Sequence, residues 1–212
     1  MRGPVAGMLL AAGGGRRLGG PKALVQMDGE PLVERGVRLL VDGGCDPVVV
    51  VLGAAADAVL SQCHLHPARP VVNHRWARGM STSLREGLDA LEASAAGAVV
   101  VALADQPQVG PEAVRRLAAA WRDGGRLVVA AYAGSPRNPV LVDRAWWPSA
   151  WAAATGDQGV RALQHARPEL VTLIECGDTG SAADLDTAED LAALGGRLPD
   201  TSTDDADCRS DP

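Results

Sequence analysis

An apolar run, Val5 to Ala12, breaks into the loop Gly13-Gly14-Gly15-Arg16-Arg17-Leu18-Gly19-Gly20-Pro21-Lys22. No other feature constrains the fold of this chain so tightly. The apolar run is short, continuous and bounded by glycine, which is the pattern of a buried strand. Glycines allow successive backbone N–H groups to turn toward one anion. Arg16, Arg17 and Lys22 can then neutralise phosphate charge. A strand ending in such a loop is, in outline, a nucleotide-phosphate site, and the alternative is a plain glycine-rich βα turn. Two common phosphate loops fail on spacing. In G-x-G-x-x-G, Gly13 and Gly15 fit but the third glycine position holds Leu18; in G-x-x-x-x-G-K-[ST], Gly15 and Gly20 fit but Pro21 displaces Lys22 and Ala23 follows it.

The rest of the chain alternates. Strands are expected at Pro47–Leu52, Pro70–Asn73, Ala98–Leu103, Leu127–Tyr132, Val140–Val142 and Leu170–Ile174. Helices are expected at Leu32–Val41, Ala54–Leu60, Ser83–Ala93, Pro111–Trp121, Arg144–Ala154, Gln158–Ala166 and Thr187–Leu194. Buried strands alternating with helices predict an α/β fold: a mostly parallel sheet with helices on both faces, whose ligands bind beyond the carboxyl ends of the strands. With 212 residues, 47% hydrophobic content and no Phe, the core must be aliphatic, with five Trp as its bulky fillers. Residues 1–195 are read as one domain and 196–212 as a disordered acidic tail, because that stretch lacks apolar periodicity. The net charge of −6, much of it in the tail, excludes nucleic acid as the expected partner. No apolar run approaches the roughly 18 residues that would span a bilayer. No leader precedes the first strand, so a soluble cytoplasmic protein is expected. Cys45, Cys63, Cys176 and Cys208 show no paired spacing, and Cys63-His64-Leu65-His66, without a second cluster, reads as a surface loop.

Several polar residues stand where chemistry is expected. Asp105 follows a strand at the carboxyl edge; it reads as a magnesium ligand or as a turn carboxylate before Pro107. Asp186 with Glu189 has the form of a capping box, which leaves Asp184 as the preferred second carboxylate beside a metal. Ser83-Leu84-Arg85-Glu86 reads as another capping box, with Ser81 and Ser83 at a helix start where free N–H groups attract anions. Asp157 reads as the N-cap of the helix that follows it, and Arg161 as a solvated arginine or a contact to a second phosphate. Trp146, Trp147 and Trp151 fill either the core or a cleft wall.

The motif L-A-A-G-x-x-x-R-L-G-x-x-K resembles the signature of the MobA-like nucleotidyltransferases, and within them the molybdenum cofactor cytidylyltransferases. The resemblance continues in order. Asn73-His74-Arg75-Trp76-Ala77-Arg78-Gly79-Met80-Ser81-Thr82-Ser83-Leu84 is similar to N-x-x-W-x-x-G-M-x-x-S-L, and Asp105-Gln106-Pro107 to D-Q-P. Gly156-Asp157-Gln158-Gly159 resembles G-D-x-G, and Asp184-Leu185-Asp186-Thr187-Ala188-Glu189-Asp190 resembles D-I-D-T-P-E-D. The family's G-x-P is replaced by Arg137-Asn138-Pro139, so contacts made there do not carry over.

The resemblance implies a Rossmann-like nucleotidyltransferase sheet and a magnesium-dependent reaction in which CMP passes from CTP to the phosphate of molybdopterin cofactor, releasing pyrophosphate. L-A-A-G, rather than the guanylyl branch's L-A-G-G, points to CTP. By the same resemblance Leu10, Ala11, Ala12, Gly13, Lys22, Asn73, Ser81 and Ser83 bind nucleotide. Arg17, Lys22 and Asp105 are catalytic, and Asp105 with Asp184 holds Mg2+. Gly156, Asp157 and Gly159 face the second substrate, and a client molybdoenzyme or its chaperone is the implied partner. The nucleophile, a phosphate monoester with a second pKa of about 6, is already largely ionised at neutral pH, so no dedicated general base is needed. Two alternatives stand: a guanylyl- or other nucleotidyltransferase acting on a different phosphorylated substrate, or a nucleotide- or cofactor-binding module without catalysis.

Overall fold

The computed structural model describes residues 2–198. In chain order the strands are β1 (Val5–Ala11), β2 (Gln26–Met27), β3 (Glu30–Pro31), β4 (Val48–Leu52), β5 (Arg69–Val72), β6 (Ala98–Leu103), β7 (Leu127–Tyr132), β8 (Ser135–Asp143) and β9 (Val171–Glu175). The helices are α1 (Leu32–Asp42), α2 (Ala56–Gln62), α3 (Met80–Leu91), α4 (Pro111–Arg122), α5 (Trp147–Ala153), α6 (Arg161–Ala166) and α7 (Ala188–Ala193). Seven strands form one sheet in the order β5-β4-β1-β6-β8-β7-β9, and only β8 runs antiparallel to its neighbours. The expected mostly parallel α/β sheet is therefore present.

Strand β1 is buried along its whole length because both of its faces are covered. Leu9 and Ala11 join the cluster under α1 and α4, with Val33, Val37, Leu40, Val114, Leu117 and Trp121. Met8 and Leu10 join the cluster under α3 and α5, with Leu84, Leu88, Leu91 and Trp147. Each such side chain contributes about 1.5–3 kcal/mol by leaving water. The tryptophans are not uniformly core: Trp121 and Trp147 are buried, but Trp151 is 41% exposed on the surface. The chain steps from β1 outward to β4 and β5, then returns to β6 on the other side of β1. The loops after β1 and β6 thus diverge, leaving a crevice at the carboxyl ends of these two strands.

Strand β8 leaves the end of β6 unpaired on that side. It is longer than the Val140–Val142 expected from sequence. Its pairing with β7 jumps from Val129↔Val140 to Ala130↔Arg137, so Asn138 and Pro139 bulge out of the ladder. Proline has no N–H to offer a ladder, so a bulge accommodates it. The β6–β8 ladder ends at Val101↔Val140, and Ala102 and Leu103 pair with β1 alone.

A third, smaller cluster holds the glycine-rich loop. Leu18, Val25, Met27 and Leu32 pack with Leu185 and Leu191 near the C-terminus. The short β2–β3 hairpin in this cluster has no counterpart among the expected strands, because two-residue strands show no periodicity. Gln26 also pairs with Arg197, each backbone N–H donating to the other's carbonyl at 2.9 and 2.8 Å. Residues 196 and 197, expected to be tail, are therefore bonded to the domain. The remainder of the expected tail, 199–212, lies outside the described residues. Cys45, Cys63 and Cys176 are free thiols. Among the described residues no helix is long and apolar enough to cross a membrane.

Candidate functional site

The loop after β1 is built by glycine at the positions that demand it. Gly15 sits at φ +58°, and a Cβ there would lie 1.9 Å from the Gly20 carbonyl oxygen. Leu18 N–H and Gly19 N–H donate back to the Gly15 carbonyl at 2.9 and 3.0 Å, closing the turn. The backbone N–H groups of Gly13, Gly14, Gly15, Arg16 and Arg17 donate to no protein acceptor among the described residues. They form a run of free donors at the carboxyl end of a buried strand, where an anion is favoured.

Past the loop, a 3₁₀ turn over Lys22–Leu24 aims Lys22 back across the sheet. Its Nζ donates to Asp105 Oδ2 at 2.7 Å and to Asp186 Oδ1 at 2.6 Å. Arg17 donates to the other oxygen of Asp186 at 2.9 Å. Leu185 is fully buried in the third cluster and donates its N–H to the Asp105 carbonyl at 2.8 Å. The carboxylates flanking it, Asp184 and Asp186, are thereby brought to Asp105. Asp184 accepts from Gln106 Nε2 at 2.8 Å, while Gln106 Oε1 is buried and without a partner. Sequence reasoning ranked Asp186 below Asp184 because Asp186 had the look of a helix cap. The capping box is instead made by Thr187 and Asp190, which frees the Asp186 side chain for Lys22 and Arg17.

Burial pushes the Asp105 carboxyl above the usual carboxylate range; Lys22 opposes this, and the negative charges of Asp184 and Asp186 reinforce it. Burial works to lower Lys22, but the pairing with Asp105 and Asp186 prevails and holds the ammonium above its ordinary value. The hydrogen bond from Lys22, with the charge of Arg17, holds Asp186 low against a cost of burial. Three carboxylates thus face two cations. Among the described residues no three acidic, imidazole or thiol side chains converge as a ready-made metal cage. Asp105 and Asp184 still suit a magnesium-like ion, which takes one or two carboxylates and completes its shell with phosphate oxygens and water.

A cleft of about 410 Å³ opens over these groups. Of the residues singled out from sequence, Leu10, Ala11, Ala12, Gly13, Lys22, Ser83, Asp105 and Asp157 line it, whereas Arg17, Asn73, Ser81, Asp184, Gly156 and Gly159 do not. Asn73 is fully buried. Its amide donates to Thr82 Oγ1 at 2.8 Å and Ser83 Oγ at 3.0 Å, and its Oδ1 accepts from Arg75 N–H at 2.8 Å. Its visible work is to fold the wall.

Helix α3 begins at Met80, not at Ser83, so Ser83 lies inside the helix and the expected capping box is absent. The free N–H groups expected there are also taken. Met80 N–H goes to Asp157 Oδ1 at 3.1 Å and Ser81 N–H to the Gly156 carbonyl at 2.9 Å. Asp157 therefore caps α3 across space rather than its own following helix, α6, whose N-cap is Val160. Gly159 backs onto Met80, and Arg161 is exposed. Trp76, Met80 and Gly14 line the cleft without having been assigned a role, and Arg16 lines it while also being exposed. The spacing of Trp76, Gly79 and Met80 was the available signal.

Comparison with known proteins agrees with this architecture. Residues 7–171 match the MobA-like NTP transferase domain. The chain is 42% identical over 198 residues to the nicotine blue oxidoreductase of Paenarthrobacter nicotinovorans, covering 90% of this chain and 96% of that protein. It is 34% identical over 124 residues to the molybdenum cofactor guanylyltransferase of Rhodobacter capsulatus, covering 55% and 58% respectively. The crystal structure of Rv0371c from Mycobacterium tuberculosis H37Rv is similar with a TM-score of 0.79 at 28% identity, covering 92% of this chain and 98% of that one. Its manganese complex aligns with a TM-score of 0.72 at 27% identity, covering 90% and 97%. From the loop after β1, the Asp105 edge and a match spanning most of the sheet, the chain belongs to the MobA-like NTP transferase domain family, a family of nucleotidyltransferases.

Proposed function

We propose that this protein transfers CMP from CTP to the phosphate of a molybdopterin-type cofactor and releases pyrophosphate. The observation that carries a nucleotidyl transfer is the run of free amides from Gly13 to Arg17, followed by Lys22 held 2.7 Å from Asp105. A bound triphosphate would satisfy those amides and draw Lys22 and Arg17 away from Asp186. An oxygen of the acceptor phosphate attacks the α-phosphorus, and the bond from that phosphorus to the β-phosphate oxygen breaks. Pyrophosphate leaves with the electron pair. No protein base is required, because the acceptor phosphate is already largely ionised at neutral pH. Lys22 and Arg17 stabilise the charge gathering on the α-phosphate and the leaving group, and the loop amides hold the chain of phosphates in line. Asp105 with Asp184 would hold a magnesium ion, which supplies Lewis-acid polarisation of phosphate oxygens when bound. The choice of CTP rests on Leu10-Ala11-Ala12-Gly13, and the choice of acceptor rests on family likeness.

A second reading has one specific finding in its favour, the 42% identical relative named as an oxidoreductase. In that reading the same free amides hold the phosphates of a redox dinucleotide, and no phosphoanhydride bond breaks. One experiment separates the two. Pyrophosphate release is measured with each of the four NTPs and molybdopterin cofactor, in parallel with oxidation of reduced nicotinamide dinucleotides by a dye acceptor. Pyrophosphate formed only with CTP and cofactor supports the proposal. Release with GTP but not CTP moves the reading to a guanylyltransferase, and hydride transfer without pyrophosphate overturns nucleotidyl transfer in favour of the second reading.

A further inference from the structure

The nucleotide reading leaves Trp76 unused, although it is the aromatic side chain in the cleft wall. Its seat is cut from small residues. A Cβ on Gly14 would lie 3.2 Å from the Trp76 ring, and a Cβ on Gly53 would lie 2.5 Å from Trp76 Cβ. The indole thus rests beside Gly14 of the loop, held in a short 3₁₀ turn over Trp76–Arg78. Two other indole N–H groups are committed: Trp121 Nε1 donates to Asp143 at 2.8 Å, and Trp147 Nε1 donates to the Val142 carbonyl at 3.1 Å. That of Trp76 donates to nothing among the described residues. A half-buried aromatic ring beside the glycine-rich turn offers a flat ring a stacking face, and its in-plane donor is directed to groups at the ring's edge.

We infer that Trp76 is the platform on which the cleft's ligand lays a planar heteroaromatic ring, with the in-plane Trp76 N–H left to a group beside that ring. The inference rests on the reading of the Gly13–Arg17 loop as the phosphate end of the same ligand site. The ring has two sources, the nucleobase of the triphosphate or the fused ring of the acceptor, and binding measurements distinguish them. Trp76→Leu and Trp76→Phe are titrated by calorimetry with CTP, GTP, free neopterin and inorganic tripolyphosphate, with melting temperatures recorded to confirm folding.

Trp76→Leu is expected to weaken at least one ring-bearing probe by about tenfold, the scale of one aromatic stack. Tripolyphosphate binding should stay unchanged, and Trp76→Phe should recover most of the loss. Weakened CTP or GTP assigns the ring to the nucleobase, and weakened neopterin assigns it to the acceptor. Ring-bearing probes that bind the wild-type protein and are unaffected by Trp76→Leu overturn the inference, as does an equal loss for tripolyphosphate. Wild-type protein that binds ring-bearing probes but no tripolyphosphate instead overturns the phosphate-loop reading, which separates the two failures.

Discussion

Replacing Lys22 by Met removes the ammonium while keeping most of the stem, and it tests the charge arrangement at the heart of the site. At 2.7 Å and an effective dielectric constant of about 20, the Lys22–Asp105 attraction is about 6 kcal/mol before desolvation is subtracted. Breaking a fully buried pair costs about 3–5 kcal/mol, and losing an exposed one about 0–1 kcal/mol. The side chains of Lys22, Asp105 and Asp186 are 16%, 25% and 35% exposed, between these limits. A loss of about 2 kcal/mol at neutral pH is expected. Lys22 stands in a loop, but it is bonded into the domain on both sides.

The pH dependence has a definite sign. Burial raises the Asp105 carboxyl, so its contribution is full below its ordinary value of 3.8 and is lost as pH rises through the raised value. Asp186 is lowered, so its contribution is present above 3.8 and lost as pH falls through the lowered value. Without Lys22, Asp105 rises further and the Asp186 contribution shrinks. The deficit of Lys22→Met should therefore be largest near neutral pH and diminish in acid, as pH falls through the raised value at which Asp105 takes up its proton. Urea denaturation at neutral and at acid pH, combined with a double-mutant cycle through Asp105→Asn, measures this. A coupling energy of about 1–2 kcal/mol is expected at neutral pH. Equal deficits at both pH values, or coupling below about 0.3 kcal/mol, would refute the arrangement described here. The same variant should lower kcat by on the order of 10²-fold or more, through loss of a charge aimed at the transition state.

Three further outcomes follow from the geometry. Asp105→Asn should abolish turnover while leaving CTP binding measurable, since the free loop amides survive; a variant with wild-type turnover and magnesium dependence across a metal titration would return Asp105 to a turn residue. Gly15→Ala forces an L side chain to φ +58° and its Cβ to 1.9 Å from the Gly20 oxygen, so tripolyphosphate affinity should fall at least tenfold, beyond the roughly 1–2 kcal/mol left-handed penalty alone; unchanged affinity would mean the turn is not the phosphate cradle. Deleting 199–212 should leave melting temperature and activity unchanged, whereas deletion from 196 onward should lower both by removing the Gln26–Arg197 pairing beside the loop; two truncations with identical behaviour would show that pairing to be idle.

What the sequence determined by itself is what local chemistry encodes. The uninterrupted apolar runs Val5–Ala12, Val48–Leu52 and Ala98–Leu103 are long enough, and too continuous, for anything but strands covered on both faces. The glycines and cations of the loop point to an anion without any partner in space. Asp105 follows directly from its strand. Tertiary structure decided the rest, wherever two distant segments compete for one group. Asp184 and Asp186 are indistinguishable until Leu185 is buried under Leu18 and the helix cap is made by Thr187 and Asp190. Asp157 looks like the cap of its own helix until Met80 is brought to it from 77 residues away. Ser81 and Ser83 sit near free helix amides only as long as Gly156 is not counted. A short-range pattern records what a residue can do with its neighbours. Which hydrogen-bond partner it takes is settled by the chain that the hydrophobic clusters press against it.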